Sequence, residues 1–202
     1  MNRRHLAREP GGRHFAAGSR LVRLGLDVMR WSPTADKHAI VRRVVDQIGE
    51  TCNLTALAND EVFYLDRVEA RWPLRFHLEP GSRVPLHCTA SGKLFLANMA
   101  PAKRARALDS LELTAFTIHT VTDRADLEAD LSEIAARGYS LDREEFLMGL
   151  SAVAVPISSA KGEVIAALAC HTPSTRLGPD VIASNLPIVR AAANRLSATL
   201  PE

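Results

Sequence analysis

The 202-residue chain is 47% hydrophobic, enough apolar material for one sizeable core plus an appendage rather than two full domains. It has no apolar run of about 18 residues, which excludes a membrane-spanning helix, and no apolar segment after its first arginines, which argues against a secretory signal. The three cysteines (Cys52, Cys88, Cys170) show neither paired nor metal-type spacing and read as reduced thiols of a cytoplasmic protein.

The net charge of +2 conceals a basic arm. Arg3, Arg4, Arg8, Arg13, Arg20 and Arg23 face a single acid, Glu9, so residues 1–23 carry +5 and the remainder −3. Without interleaved aromatics or a reading motif, such an arm is a solvated leader or a weak nucleic-acid contact. Residues 1–18, with a turn at Pro10-Gly11-Gly12, read as a hairpin remnant or linker. Ser19 caps a helix over 19–33 that places Leu21, Leu24, Gly25 and Val28 on one face and ends at Pro33. A second helix runs from Thr34 to Ile48, with Val41, Val44, Val45 and Ile48 inward and Gly49 as its stop.

The period then changes to that of strands at 52–58, 62–70 and 74–78. Helices follow from Thr89 to Asn98, from Pro101, and from an opening at Thr122-Asp123 to the Gly138 stop. Strands at 151–157 and 163–171 are joined by a tight turn through Ala160-Lys161-Gly162. A final apolar pattern runs to Leu200, and Pro187 within it means a kink or a start near Asn185. Strands grouped in hairpins, with helices between the groups, indicate an α+β fold with an antiparallel sheet.

Two stretches carry candidate chemistry. In GSRVPLHCTASGKLFLA (81–97) a helix opens on Ala90, Ser91 and Gly92, so little covers its first N–H groups, and the helix dipole adds partial positive charge there. Such a start holds a small carboxylate, or else packs tightly on a sheet. In GYSLDREEF (138–146), Asp142, Glu144 and Glu145 form a solvated loop, or one of them, Asp142, turns inward toward backbone donors or a ligand hydroxyl. His87 and Cys88, adjacent in an extended segment, point to opposite faces and make a poor base and nucleophile pair. His87, Cys88, Asp142, Glu144, Glu145 and His171 are too scattered for a dedicated metal site. Gly92-Lys93 lacks the upstream glycine of a phosphate loop, and Lys93 reads as a solvated or dipole-neutral helix residue.

Four segments in order, HFAAGSRLVRLG (14–25), GSRVPLHCTASGKLFLA, IAARGYSLDREEFLMGLSAVAVPI (134–157) and KGEVIAALACHTPSTRL (161–177), resemble the isocitrate-lyase-regulator (IclR) family of bacterial transcription factors. The resemblance implies a GAF-like effector-binding domain over 34–202, a curved antiparallel sheet flanked by helices, with 19–33 as a linker and dimerisation helix. It implies a non-enzymatic sensor without cofactor or metal. Its partners would be a small organic-acid effector, a second or further copies of the chain as dimer or tetramer, and DNA through a winged helix-turn-helix domain that these residues do not contain. A stand-alone ligand-binding or oligomerisation module without DNA binding, and a Cys88 or His171 enzyme, are the alternatives.

Carried over by position, the resemblance places an effector against Cys88, Thr89 and the backbone donors of Ala90 and Ser91. The acid is Asp142, the late-strand side chains are Ala152, Ala169 and His171, and the apolar wall is Phe76 and Val84. Small-keto-acid members of the family have a cysteine and two hydroxyl residues at the late-strand positions. Two alanines and a histidine here imply a larger, partly apolar acid, including aromatic ones.

Overall fold

The computed structural model describes residues 6–8, 15–17, 34–58, 61–71, 83–178 and 183–199. The helix expected over 19–33 and the strand expected over 74–78 lie outside them. The chain divides into two units, Met1–Asp36 and Lys37–Glu202. In the first, β1 (Leu6–Arg8) and β2 (Phe15–Ala17) pair antiparallel, Leu6 opposite Ala17 and Arg8 opposite Phe15. The expected turn glycines fall between them.

The helix α1 (Thr34–Ile48) spans the division and leads into the second unit. There β3 (Thr51–Ala58), β4 (Glu61–Val68) and β5 (Arg83–Val84) are followed by α2 (Ala90–Ala97), α3 (Pro101–Ser110) and α4 (Arg124–Arg137). The strands β6 (Ser140–Arg143), β7 (Leu150–Ser158) and β8 (Val164–Pro173) and the helix α5 (Leu186–Ser197) complete it. The six strands β3 to β8 make one curled antiparallel sheet in the order β5-β4-β3-β8-β7-β6. The fold is therefore α+β, as the grouping of hairpins predicts.

Both faces of this sheet are covered, so its central strands read as continuous apolar runs rather than alternating ones. Along β7, Val153, Val155 and Ile157 join Leu168 and Cys170 of β8 in a core closed by α1 and α5. The intervening Ala152 and Ala154 join Ala167 and Ala169 in a second core beneath α2, α3 and α4. Large aliphatics thus fill one face and alanines floor the other. That asymmetry lets α2 approach the second face closely.

Local signals set the boundaries. The Asp123 side chain accepts from the N–H groups of Ala125 and Asp126 at the start of α4, and Gly138 ends that helix in the left-handed region at φ 72°. Pro101 opens α3, where its missing N–H removes no helical bond. Pro187 is the second residue of α5 after the Asn185 cap. The helix begins there rather than kinking.

Candidate functional site

Thr89 is extended (φ −117°, ψ 148°), and its hydroxyl accepts from Gly92 N–H at 3.1 Å while donating to the Pro85 carbonyl at 2.7 Å. Lys93 N–H reaches the Thr89 carbonyl at 2.9 Å. The helix start is therefore less bare than its small residues suggest, because Thr89 caps it. Gly92 serves packing: a Cβ there would lie 2.3 Å from the Leu86 carbonyl oxygen. The Ala90 and Ser91 N–H groups find no acceptor among the described residues. Ser91 is buried and its hydroxyl accepts from Thr55 of β3 at 3.0 Å, which ties the helix start to the sheet. Both expected roles, tight packing and free donors, coexist in one turn.

Asp142 stands on β6 opposite Ala152 of β7, which is opposite His171 of β8. This row crosses the face on which α2 rests. Asp142 is buried and accepts from Glu145 N–H at 2.7 Å. Burial, and then the Glu145 charge, push its carboxyl up to about 7. Of the three clustered acids Glu145 also turns inward, whereas Glu144 takes φ 64° and accepts from Gly149 N–H at 2.7 Å, a bond that holds its carboxyl below the usual range. Thr120 donates to the Glu145 carbonyl at 2.6 Å and braces the loop.

Lys93 departs from expectation. It is 2% exposed, and its ammonium lies 2.7 Å from Asp130 and 2.6 Å from Glu145. It clamps α2 to α4 and to the loop after β6 instead of meeting solvent. Nothing in the local pattern marks this, since the partners come from positions 37 and 52 residues away.

His171 is held far below the ordinary histidine range, at about 3, by burial and then by the charge of Arg67. It is neutral at working pH. The Cys88 thiol is pushed up to about 12 by burial and then by Asp142 and Glu145, so it carries no thiolate near neutrality. His87 Nε2 lies 2.9 Å from the Thr114 carbonyl, its ring 6.0 Å from Phe116. These properties suit a lining residue better than a nucleophile. Val84, paired with Val62, joins Ala90, Ala152 and Ala169 in the second core, while Phe76 lies outside the described residues.

Three residues of the same face were not singled out from the sequence. Tyr64 on β4 and Asn53 on β3 are buried and the Arg67 side chain on β4 is nearly enclosed, with Tyr64 pushed up to about 12 by desolvation. In sequence they read as ordinary strand positions, and only the register of β3 with β4 and β8 brings them together. A concavity of about 490 Å³ lies elsewhere, at the end of α1 between Arg42, Gly49 and Arg71. Among the described residues, no three His, Cys, Asp or Glu side chains converge as metal ligands would, and no helix is long and apolar enough to cross a membrane.

Residues 34–198 match the family model of the bacterial transcriptional regulator IclR C-terminal domain. The chain is 46% identical over 198 residues to the probable transcriptional regulator SauR of Cupriavidus necator, covering 98% of this chain and 79% of that protein. It is 35% identical to the HTH-type transcriptional regulator BhcR of Paracoccus denitrificans, covering 89% of this chain and 65% of that protein. The structure also resembles an IclR homolog from Microbacterium hydrocarbonoxydans complexed with 4-hydroxybenzoate. The TM-score is 0.74 at 28% identity, covering 96% of this chain and 79% of that one. A double mutant of the PobR inducer-binding domain from Acinetobacter, in complex with 3-hydroxybenzoic acid, gives 0.73 at 28% identity, covering 81% and 96%. The chain belongs to the IclR family of transcriptional regulators, and residues 34–198 are its C-terminal effector-binding domain.

Proposed function

We propose that the effector is a carboxylic acid held on the alanine-floored face of the sheet, its carboxylate on the Ala90 and Ser91 N–H groups. The observation that carries this reading is the pair of unclaimed amide donors at a buried helix start. Asp142, His171, Cys88, Thr89 and Val84 line the same region, and Phe76 is assigned with them by resemblance. Alanines at 152 and 169 offer room and no hydrogen bond, so the acid is larger than a two- or three-carbon keto acid and partly apolar, with aromatic acids included. Two related structures hold hydroxybenzoates, which supports that size class.

Bound effector shifts the arrangement of subunits, as dimer or tetramer, through its differential affinity for their states, and so shifts DNA binding by a winged helix-turn-helix domain. The protein is a sensor without cofactor and acts in the cytoplasm.

Ala90→Pro tests the amide donors without adding a long side chain. Proline suits the first helical position, and the extended Thr89 before it tolerates the ring. Hydrogen bonds to charged groups are worth about 1.5–3 kcal/mol, so loss of the Ala90 donor should weaken benzoate binding in calorimetry by roughly 10- to 100-fold, with the melting temperature retained. Unchanged affinity in a folded variant, or tighter binding of glyoxylate and pyruvate than of benzoate, overturns the assignment.

A further inference from the structure

The alanine-floored face has a second polar pole. Asn53, opposite Arg67 on β4 and Ala169 on β8, lies two residues along β3 from Thr55, the residue that touches Ser91. That step is about 7 Å along a strand. Asn53 is fully buried, and Arg67, itself nearly enclosed, donates from Nη1 to Asn53 Oδ1 at 3.1 Å. This bond orients the amide, because the oxygen must face the guanidinium. The Asn53 Nδ2 donor is left enclosed without an acceptor. On the neighbouring strand His171, two residues beyond Ala169 and on the same face, has an enclosed Nε2 that also lacks a partner.

Buried polar nitrogens are seldom left unmet, and two on one face beside a buried cation need a common explanation. The Arg67–Asn53 pair accounts for the amide oxygen and leaves both nitrogens unexplained. An acceptor arriving there would satisfy Asn53 Nδ2 and, in its Nε2–H tautomer, His171. Arg67, paired with Glu69 at 3.2 Å, polarises the amide from its oxygen side, which strengthens the Asn53 N–H groups toward a charged acceptor.

We infer that Asn53, His171 and Arg67 form a second anchoring pole, and that the effector is a two-headed acid. Its first carboxylate rests on the Ala90 and Ser91 amides, and a second anionic, acceptor-bearing head rests against Asn53 Nδ2 and His171 Nε2. A short apolar middle spans the alanines between them. The inference rests on the amide donors holding the first carboxylate.

Calorimetry on the full chain with matched pairs tests it: glutarate against valerate, adipate against hexanoate, and benzene-1,4-dicarboxylate against 4-methylbenzoate. In at least one pair the diacid should bind tenfold or more tightly than its monoacid. Asn53→Asp keeps an acceptor for Arg67 but removes the donor and adds negative charge. It should abolish that preference, the diacid losing at least tenfold more affinity than its monoacid. Monoacids that bind with sensitivity to Ala90→Pro, yet no diacid preference in any pair, overturn the second pole alone. Equal losses for both members of a pair in Asn53→Asp also overturn it, since a purely structural Asn53 would act so. Failure of every acid to bind overturns the amide reading and this inference together.

Discussion

Lys93 shows how far a single residue's environment can depart from its local sequence. Its ammonium, with its side chain 3% exposed, meets Asp130 and Glu145, and Glu145 Oε2 has no partner of its own. Removing the cation from such a buried network leaves a carboxylate uncompensated, which typically costs 3–5 kcal/mol, about what Lys93→Met should lose in urea unfolding. Asp142, beside it, titrates near 7 against an ordinary 3.8, facing Glu145, Lys93, Tyr64 and Cys88. Between those values the native state holds a proton that the unfolded chain has released. Its stabilisation is complete below about 4 and is lost as pH rises through about 7. A shift of this size corresponds to roughly 4 kcal/mol. Asp142→Asn, which still accepts from Glu145 N–H, should therefore flatten the fall in unfolding free energy between those pH values.

At the scale of elements, helix ends were the most legible features because their chemistry is local. The Asp123 carboxylate accepts from Ala125 N–H at 2.7 Å and Asp126 N–H at 3.1 Å, and both residues and spacing are visible in the chain. Asp123→Ala should lower stability by about 1 kcal/mol in thermal unfolding, without altering acid affinity. The Gly138 stop and the start of α5 at Pro187 follow from equally local rules. The first turn of α2 was only half legible. Its small residues point to free donors and to close packing alike; Gly92 against Leu86 and the 3.0 Å contact of Ser91 with Thr55 show the packing, while the Ala90 and Ser91 N–H groups have no acceptor among the described residues.

Across the whole effector-binding domain the sheet separates two cores of different character. Leu168 faces α1 and α5, whereas its neighbours Ala167 and Ala169 face α2. Leu168→Ala should destabilise by about 2–5 kcal/mol through the cavity it leaves, measured by chemical denaturation. Acid binding should hold in the variant, since its cavity opens on the face away from the proposed site.

The chain by itself determined the α+β class, the start and stop of α4, the start of α5 and the family, because each rests on periodicity, on residues close in sequence or on ordered segments. Tertiary structure alone decided that Lys93 is an internal cation and that Asp142 and Glu145 turn inward while Glu144 does not. It also decided that Asn53, Arg67 and His171 share one face. Those groupings depend on strand register and on close approach across the sheet, where a shift of one residue would send every side chain to the opposite face.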